Sequence, residues 1–366
     1  MKITKIDIGI VSIPLIKSFK TALRTVNTLE SIIVRISSEE RYIIGYGETA
    51  PTEAITGDSK QSIINALEAI SKGLIGRSIC TLEDIIDAVH SPIAGNFNAK
   101  SAIEIALYDM LSQRAGKPLY AYLYGDETVF KTGITISLNP IEEMVTDAKE
   151  AVAQGFESLK IKLGDDPEVD ILRVEAISNA LGESIPLKLD ANQGWSPEET
   201  VRFLRALEQK NISIELIEQP VKREDISGLK YIKERTGIPV LADESIFSPE
   251  DARVLLENQA VDLINIKLDK CGGISKALEI ADICHDHGVQ CMIGCMMEGA
   301  ISVGAAAHVA SAKSNTITMF DLYAPILCSE VPIRGGVLFE GAEIVLAEKP
   351  GLGVQGIDGI EWLIRI

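Results

Sequence analysis

The chain opens with apolar positions interrupted by single charges. Residues 1–13, 31–37 and 41–47 are rich in Ile and Val, as half-buried strands are. Ser37-Ser38-Glu39-Glu40 separates the last two as a hairpin loop would. A small antiparallel sheet is predicted. Helical spacing follows at about 59–75, 82–90 and 99–114. In the last of these, Ile103, Ala106, Leu107, Met110 and Leu111 recur at the spacing of a buried stripe. Gly116-Lys117-Pro118 then ends that helix.

Near residue 130 the texture changes. Short apolar runs now alternate with amphipathic stretches. The predicted strands are Gly133–Leu138, Ser158–Leu163, Pro186–Leu189, Ser213–Ile217, Pro239–Leu241, Leu263–Ile266, Gln290–Ile293 and Thr316–Met319. Between them, Met144, Val145, Ala148, Ala151 and Val152 make one apolar stripe, and Val201, Leu204 and Leu207 another. Two helices open with the same cassette, Ser196-Pro197-Glu198-Glu199 and Ser248-Pro249-Glu250-Asp251. A Ser cap, Pro at the first helical position and an acid at the third make a strong helix start. Alternating strand and helix imply a parallel sheet, and eight such strands in ~190 residues fit a closed barrel. The last ~40 residues return to Gly-rich, short-strand texture and are expected to rejoin the N-terminal part, since chain ends commonly lie close together. The expected organisation is an α+β capping domain over 1–128, a barrel over 129–323, and a segment over 324–366 that returns to the cap.

Composition narrows the function classes. The 366 residues carry 35 Lys+Arg against 53 Asp+Glu, a net charge of −18. Nucleic acid and anionic membrane surfaces need clustered positive charge, so neither is expected as a partner. The first residues, MKITKIDIGIVSIPL, are broken by charges and lack the apolar core of a signal peptide. The most apolar run, Val289 to Ala312, contains Glu298 and His308, and no membrane span is expected. Six cysteines form no CxxC pair, which suggests reduced, mostly buried thiols in a cytoplasmic protein.

Candidate chemistry sits where the strands end, because a parallel barrel carries its active site there. Lys160 and Lys162 alternate with Leu159, Ile161 and Leu163, so both lysines share a face. Turned inward, they are costly unless paired. Asp190, Glu218 and Asp243 each follow an apolar run on three consecutive strands. In a barrel the three acids converge, and three bare carboxylates repel without a cation. All-oxygen ligation suits Mg²⁺, with Mn²⁺ as a substitute. Lys267 ends the sixth strand in phase with Leu263 and Asn265, on the wall opposite Lys160 and Lys162, while Lys270 falls beyond it and reads as solvated or loop-ordering. Lysines on both sides of a metal can take a proton from one face of a carbon acid and return one to the other, provided one lysine is neutral. This favours a racemase or epimerase, and elimination with one base stays open. A metal-free Schiff-base aldolase and a non-catalytic scaffold are the remaining alternatives. His285 and His287 close a helix, His308 lies in an Ala-rich helix, and no phosphate-binding Gly-rich loop is present.

These residues resemble the enolase superfamily, muconate-lactonizing-enzyme subgroup, over essentially the whole chain. The K-x-K motif matches Lys160-Ile161-Lys162, the metal ligands match Asp190, Glu218 and Asp243, and the strand-six lysine matches Lys267. The resemblance implies a (β/α)₇β barrel, a modified TIM barrel, under an α+β capping domain. It implies Lys162 and Lys267 as acid/base pair, Lys160 beside the substrate carboxylate, and Asp269 and Asn192 as groups orienting lysines or ligands. Within the subgroup the chain is most similar to dipeptide epimerases of the L-Ala-D/L-Glu type. That branch carries D-x-D after the last barrel strand to hold a substrate ammonium; here Asp321 matches and Tyr323 departs. Glu298, in the loop Cys295-Met296-Met297-Glu298-Gly299, is a further candidate for the ammonium end. Arg24, in the segment Phe19–Arg24 read as a loop between the first two strands, matches the position that binds a glutamate side chain, and Thr135 is a further substrate candidate.

The expected activity is therefore a dipeptide epimerase with one Mg²⁺ per subunit. It would invert the α-carbon of the C-terminal residue of an L,L-dipeptide, such as L-Ala-L-Glu or a hydrophobic dipeptide, through an enediolate. The alternatives within the subgroup are N-acylamino acid racemase, o-succinylbenzoate synthase and muconate cycloisomerase. The expected partner is a small dipeptide, and a homo-oligomer is the base expectation.

Overall fold

The computed structural model describes residues 1–40, 42–182 and 185–366. Strands β1 (Ile3–Lys20), β2 (Thr25–Ser38) and β3 (Ile44–Thr49) form an antiparallel meander. The strand expected at 41–47 starts later, at Ile44, and Arg41 lies outside the described residues. The first strand is also longer than its Ile-rich part. It runs on through Phe19 and Lys20, which were expected in a loop, and only residues 21–24 make the turn. Register explains this: Phe19 pairs with Val26 and Lys20 with Thr25 after an irregularity beyond Pro14.

Three helices follow at Lys60–Leu74, Leu82–His90 and Phe97–Arg114, close to the spans that periodicity predicted. The third is buried along nearly its whole length and lies against β3. Two glycines allow the approach. A Cβ at Gly45 would meet the carbonyl oxygen of Ala106 at 2.1 Å, and one at Gly47 that of Ala102 at 1.8 Å.

The eight barrel strands all appear. They are β4 (Ile134–Ile136), β5 (Leu159–Lys162), β6 (Leu187–Asp190), β7 (Ile214–Glu218), β8 (Val240–Ala242), β9 (Leu263–Ile266), β10 (Gln290–Gly294) and β11 (Ile317–Asp321). They pair in sequence order and in parallel. A hydrogen bond from Gly133 N to Phe320 O, 3.0 Å, ties the first strand to the last. The cassette helices start as expected. Ser196 accepts from Glu199 N while Glu199 caps Ser196 N in return, and Ser248 accepts from Asp251 N. Inside the barrel, Leu216, Leu241 and Met292 form a small apolar plug separate from the main core. Lys162, Asp190, Glu218 and Asp321 each end their strand at its C-terminal side.

The last strand, β12 (Glu361–Arg365), pairs antiparallel with β1 from Asp7 to Ile10. The cap is thus built from both ends of the chain. Cys80 is exposed and the other five cysteines are buried, all as free thiols. Among the described residues, no helix is long and apolar enough to cross a membrane.

Candidate active site

Register brings Lys162, Asp190 and Glu218 to one level, because Lys162 pairs with Asp190 and Asp190 with Glu218 across β5, β6 and β7. Asp243 follows directly after β8. All three acids are buried, as are Lys160, Lys162 and Lys267. The lysines neutralise the acids one by one. Lys162 Nζ donates to Asp190 Oδ2, and also to Asn192 Oδ1 at 3.1 Å. Lys160 Nζ lies 2.6 Å from Glu218 Oε2 and 2.5 Å from Asp321 Oδ2. Lys267 Nζ donates to Asp243 Oδ2 at 2.7 Å.

Local backbone geometry holds the acids at their strand ends. Asn192 and Gln219 both adopt left-handed conformations, with φ of 42° and 34°. Each such residue costs about 1–3 kcal/mol and persists where the surroundings impose it. Here the turns bring polar groups against the acids and their backbone. Asn192 N donates to Asp190 Oδ1 at 2.9 Å, and the Gln219 side-chain oxygen accepts from Asp243 N at 3.0 Å and Ser245 N at 3.1 Å.

The electrostatics are those of crowded acids. Burial pushes the Glu218 carboxyl up to about 7, helped by the charges of Asp190 and Asp243 and opposed by Lys160. Burial also acts on Asp243, yet Lys267 and Lys270 hold it below the usual carboxylate range. Desolvation works against the Lys267 ammonium, but Asp243 and Glu218 prevail and keep its pKa above that of an ordinary lysine. Among the described residues no three acids, histidines or cysteines are gathered closely enough to hold a metal ion, and each of the three carboxylates is paired with a lysine of its own. The donor set nevertheless fits a hard divalent cation: three inward carboxylates on neighbouring strands, with Glu218 Oε2 buried and lacking a well-directed hydrogen bond.

Two residues near the acids were not picked out in the sequence, or were misread. Lys270 is buried rather than solvated; its Nζ donates to Asp243 Oδ1 at 2.5 Å and also to the Asp243 carbonyl. The one-turn helix Leu268–Cys271 swings it back beside Lys267. Glu244 accepts from Asn192 Nδ2 at 3.0 Å, so it holds the amide that in turn meets Lys162. Burial, Asp243 and Asp190 push its carboxyl up to about 8. The signal was a second acid directly after Asp243.

The cavity above these groups is lined on the barrel side by Lys160, Lys162, Lys267 and Asp321. The cap contributes Phe19, Leu23, Arg24 and Ile55. Arg24 has no acid within ion-pair distance among the described residues, and burial lowers its pKa while Tyr323 opposes that change. Tyr323 packs its ring against Phe19, with centroids 6.1 Å apart. Thr135 and Glu298 are absent from the lining. Thr135 lies in β4 with a buried hydroxyl beside Tyr323. Glu298 turns away from the cavity to Met296 N and Ser302 Oγ. Asp269 likewise turns from the lysines to the cap, where it accepts from Thr49 Oγ1 at 2.8 Å and Ala50 N at 3.1 Å. His308 is packed, as its Ala-rich helix suggested, and His287 bonds its own helix.

Residues 143–358 match the enolase C-terminal domain-like family, and residues 5–124 match the mandelate racemase/muconate lactonizing enzyme N-terminal domain. The chain belongs to the mandelate racemase/muconate lactonizing enzyme family. Within that family it is 45% identical over 359 residues to the L-Ala-D/L-Glu epimerase of Clostridium acetobutylicum, covering 98% of this chain and 100% of that one. The substrate-liganded L-Ala-D/L-Glu epimerase from Bacillus subtilis superposes with a TM-score of 0.95 at 44% identity, covering 98% and 99% of the two chains. The dipeptide epimerase from Enterococcus faecalis, complexed with Mg and the dipeptide L-Leu-L-Tyr, superposes with a TM-score of 0.93 at 41% identity, covering 97% and 100%. The barrel under a mixed cap is thus the enolase-like fold of this family.

Proposed function

We propose that this protein is a Mg²⁺-dependent dipeptide epimerase that inverts the α-carbon of the C-terminal residue. The observation that carries the reading is the placement of Lys162 and Lys267 on opposite walls of one cavity, four strands apart in an eight-stranded barrel. The names and ligands of the relatives point the same way.

Asp190, Glu218 and Asp243 would hold the cation, one per subunit, with Mn²⁺ as a substitute. When bound, it supplies positive charge to a substrate carboxylate that becomes more basic as the α-proton leaves. Lys160 stands beside that carboxylate and balances its charge. Lys162 and Lys267 act on the two faces of the α-carbon. One Nζ, neutral at that moment, accepts the α-proton; the other, protonated, delivers one from the opposite side. Asn192, held by Glu244, keeps the Lys162 amine aimed. Asp321 meets the substrate ammonium, with the neutral hydroxyl of Tyr323 alongside.

Arg24 selects the substrate side chain. A guanidinium without an acid partner at a cavity wall is suited to a carboxylate that arrives with the ligand, which favours an acidic C-terminal residue such as Glu. Leu23, Ile55, Met297 and the Phe19 and Tyr323 rings give the same wall an apolar part. They support a second reading, in which hydrophobic dipeptides are also accepted. Incubating a library of L,L-dipeptides with the enzyme and Mg²⁺ in D₂O tests both. Mass gain and inversion at the C-terminal residue are expected, strongest for acidic side chains. Absence of exchange across the library would overturn the proposal.

A further inference from the structure

A continuous chain of buried hydrogen bonds crosses from the cap to the substrate wall. Ser31 Oγ on β2 donates to Glu48 Oε1 on β3. Glu48 Oε2 accepts from Ile301 N at 2.8 Å and Ser302 N at 3.1 Å, at the start of the barrel helix Ala300–Ala312. The hydroxyl of Ser302 donates to Glu298 Oε2, and Glu298 Oε1 accepts from Met296 N at 2.5 Å. Ser31, Glu48, Ser302, Glu298 and Met296 are all buried. A Cβ at position 299 would come within 1.9 Å of Glu48 Oε1, so Gly299 is what lets the cap carboxylate reach the helix.

Cys295, Met296 and Met297 line the cavity. A buried backbone N–H needs an acceptor, which ties Met296 N to the position of Glu298. Glu298 is in turn fixed by Ser302, and Ser302 by Glu48. We infer that Glu48, Ser302 and Glu298 are positioning residues that set the 295–297 wall, so that docking of the cap on the barrel fixes the shape of the substrate site. The inference rests on the dipeptide reading and names what controls selectivity at that site. It also gives Glu298 a role different from contact with the substrate ammonium.

The test compares kcat and KM over a panel of dipeptides differing in the C-terminal side chain. Glu298→Ala removes both acceptors. It is expected to raise KM by about fivefold or more and to compress the spread of kcat/KM across the panel, with kcat for the best substrate within about threefold of the unaltered enzyme. Glu298→Gln keeps an acceptor for Met296 N and offers its amide to the Ser302 oxygen, and is expected to restore the selectivity. Should Glu298→Ala fail to fold, Ser302→Ala, which leaves the helix intact, is expected to shift the same ratios in the same direction. A uniform fall in kcat with selectivity unchanged, or failure of Glu298→Gln to restore it, would overturn the inference. Turnover of no dipeptide by the unaltered enzyme would instead overturn the activity beneath it.

Discussion

The Lys267 ammonium lies 2.7 Å from Oδ2 of Asp243, so the proposed proton carrier of one wall and a proposed metal ligand are held by each other. Lys162 and Asp190 repeat the arrangement across the barrel. Each lysine is thereby pinned to its own face of the cavity, and each is expected to serve one enantiomer. Lys162→Ala and Lys267→Ala should each lose epimerisation by roughly 10³-fold or more, the scale of a positioned acid/base group. Each variant should still exchange the α-proton of a single enantiomer with D₂O, a different one in the two cases. Full epimerisation by either variant would exclude the two-base mechanism.

Metal dependence follows from the same carboxylates. Chelation is expected to bring turnover to background, and added Mg²⁺ to restore it. Asp190→Asn should weaken Mg²⁺ binding measured by calorimetry, since it removes one of three anionic donors. Undiminished turnover in EDTA would point to chemistry carried by a lysine alone, and borohydride trapping would reveal it.

Arg24 sets a prediction on selectivity. A hydrogen bond to a charged group is worth about 1.5–3 kcal/mol. Arg24→Met should therefore lower kcat/KM for L-Ala-L-Glu by roughly 10- to 100-fold while leaving L-Ala-L-Leu unchanged or improved. Equal losses on both substrates would remove Arg24 from substrate recognition.

His308 links stability to pH. Its Nδ1 accepts from Tyr120 N at 3.0 Å, its ring stacks on Tyr120, and burial lowers its pKa to about 3. An unfolded chain protonates this histidine near pH 6.5, so the unfolded state binds the extra proton. The stabilising contribution is complete above pH 6.5 and is lost as pH falls toward 3. Between pH 6.5 and 5 that loss is about 2 kcal/mol. Urea unfolding curves of His308→Gln should fall less steeply over this interval than those of the unaltered protein, by about that amount. Parallel curves would assign the acid sensitivity elsewhere.

The barrel was legible in the sequence because its strands are short apolar runs between capped helices, and both signals are local. The acids could be read because one spacing, a strand-helix unit, repeats from Asp190 to Glu218 to Asp243. The solvated reading of Lys270 fails, because a single helical turn reverses its direction, which strand alternation does not anticipate; its bonds to the Asp243 and Asn265 carbonyls agree with the loop-ordering alternative. Glu298 and Asp269 escaped for another reason. Asp269 meets Thr49, and Glu298 is tied through Ser302 to Glu48. Contacts between residues more than two hundred positions apart leave no periodic trace. The end of β1 was hidden too, because Phe19 and Lys20 look like loop residues until Val26 and Thr25 of β2 pair with them.

The pairing of β12 with β1 carries a consequence for how activity arises during synthesis. Phe19 and Arg24 leave the ribosome early, yet the sheet that carries them lacks its outer strand until residues 361–365 emerge. The barrel acids and lysines can be in place before then. A nascent chain would thus own its proton carriers before it owns a finished wall to choose what they act upon, and discrimination would be the last property the enzyme acquires.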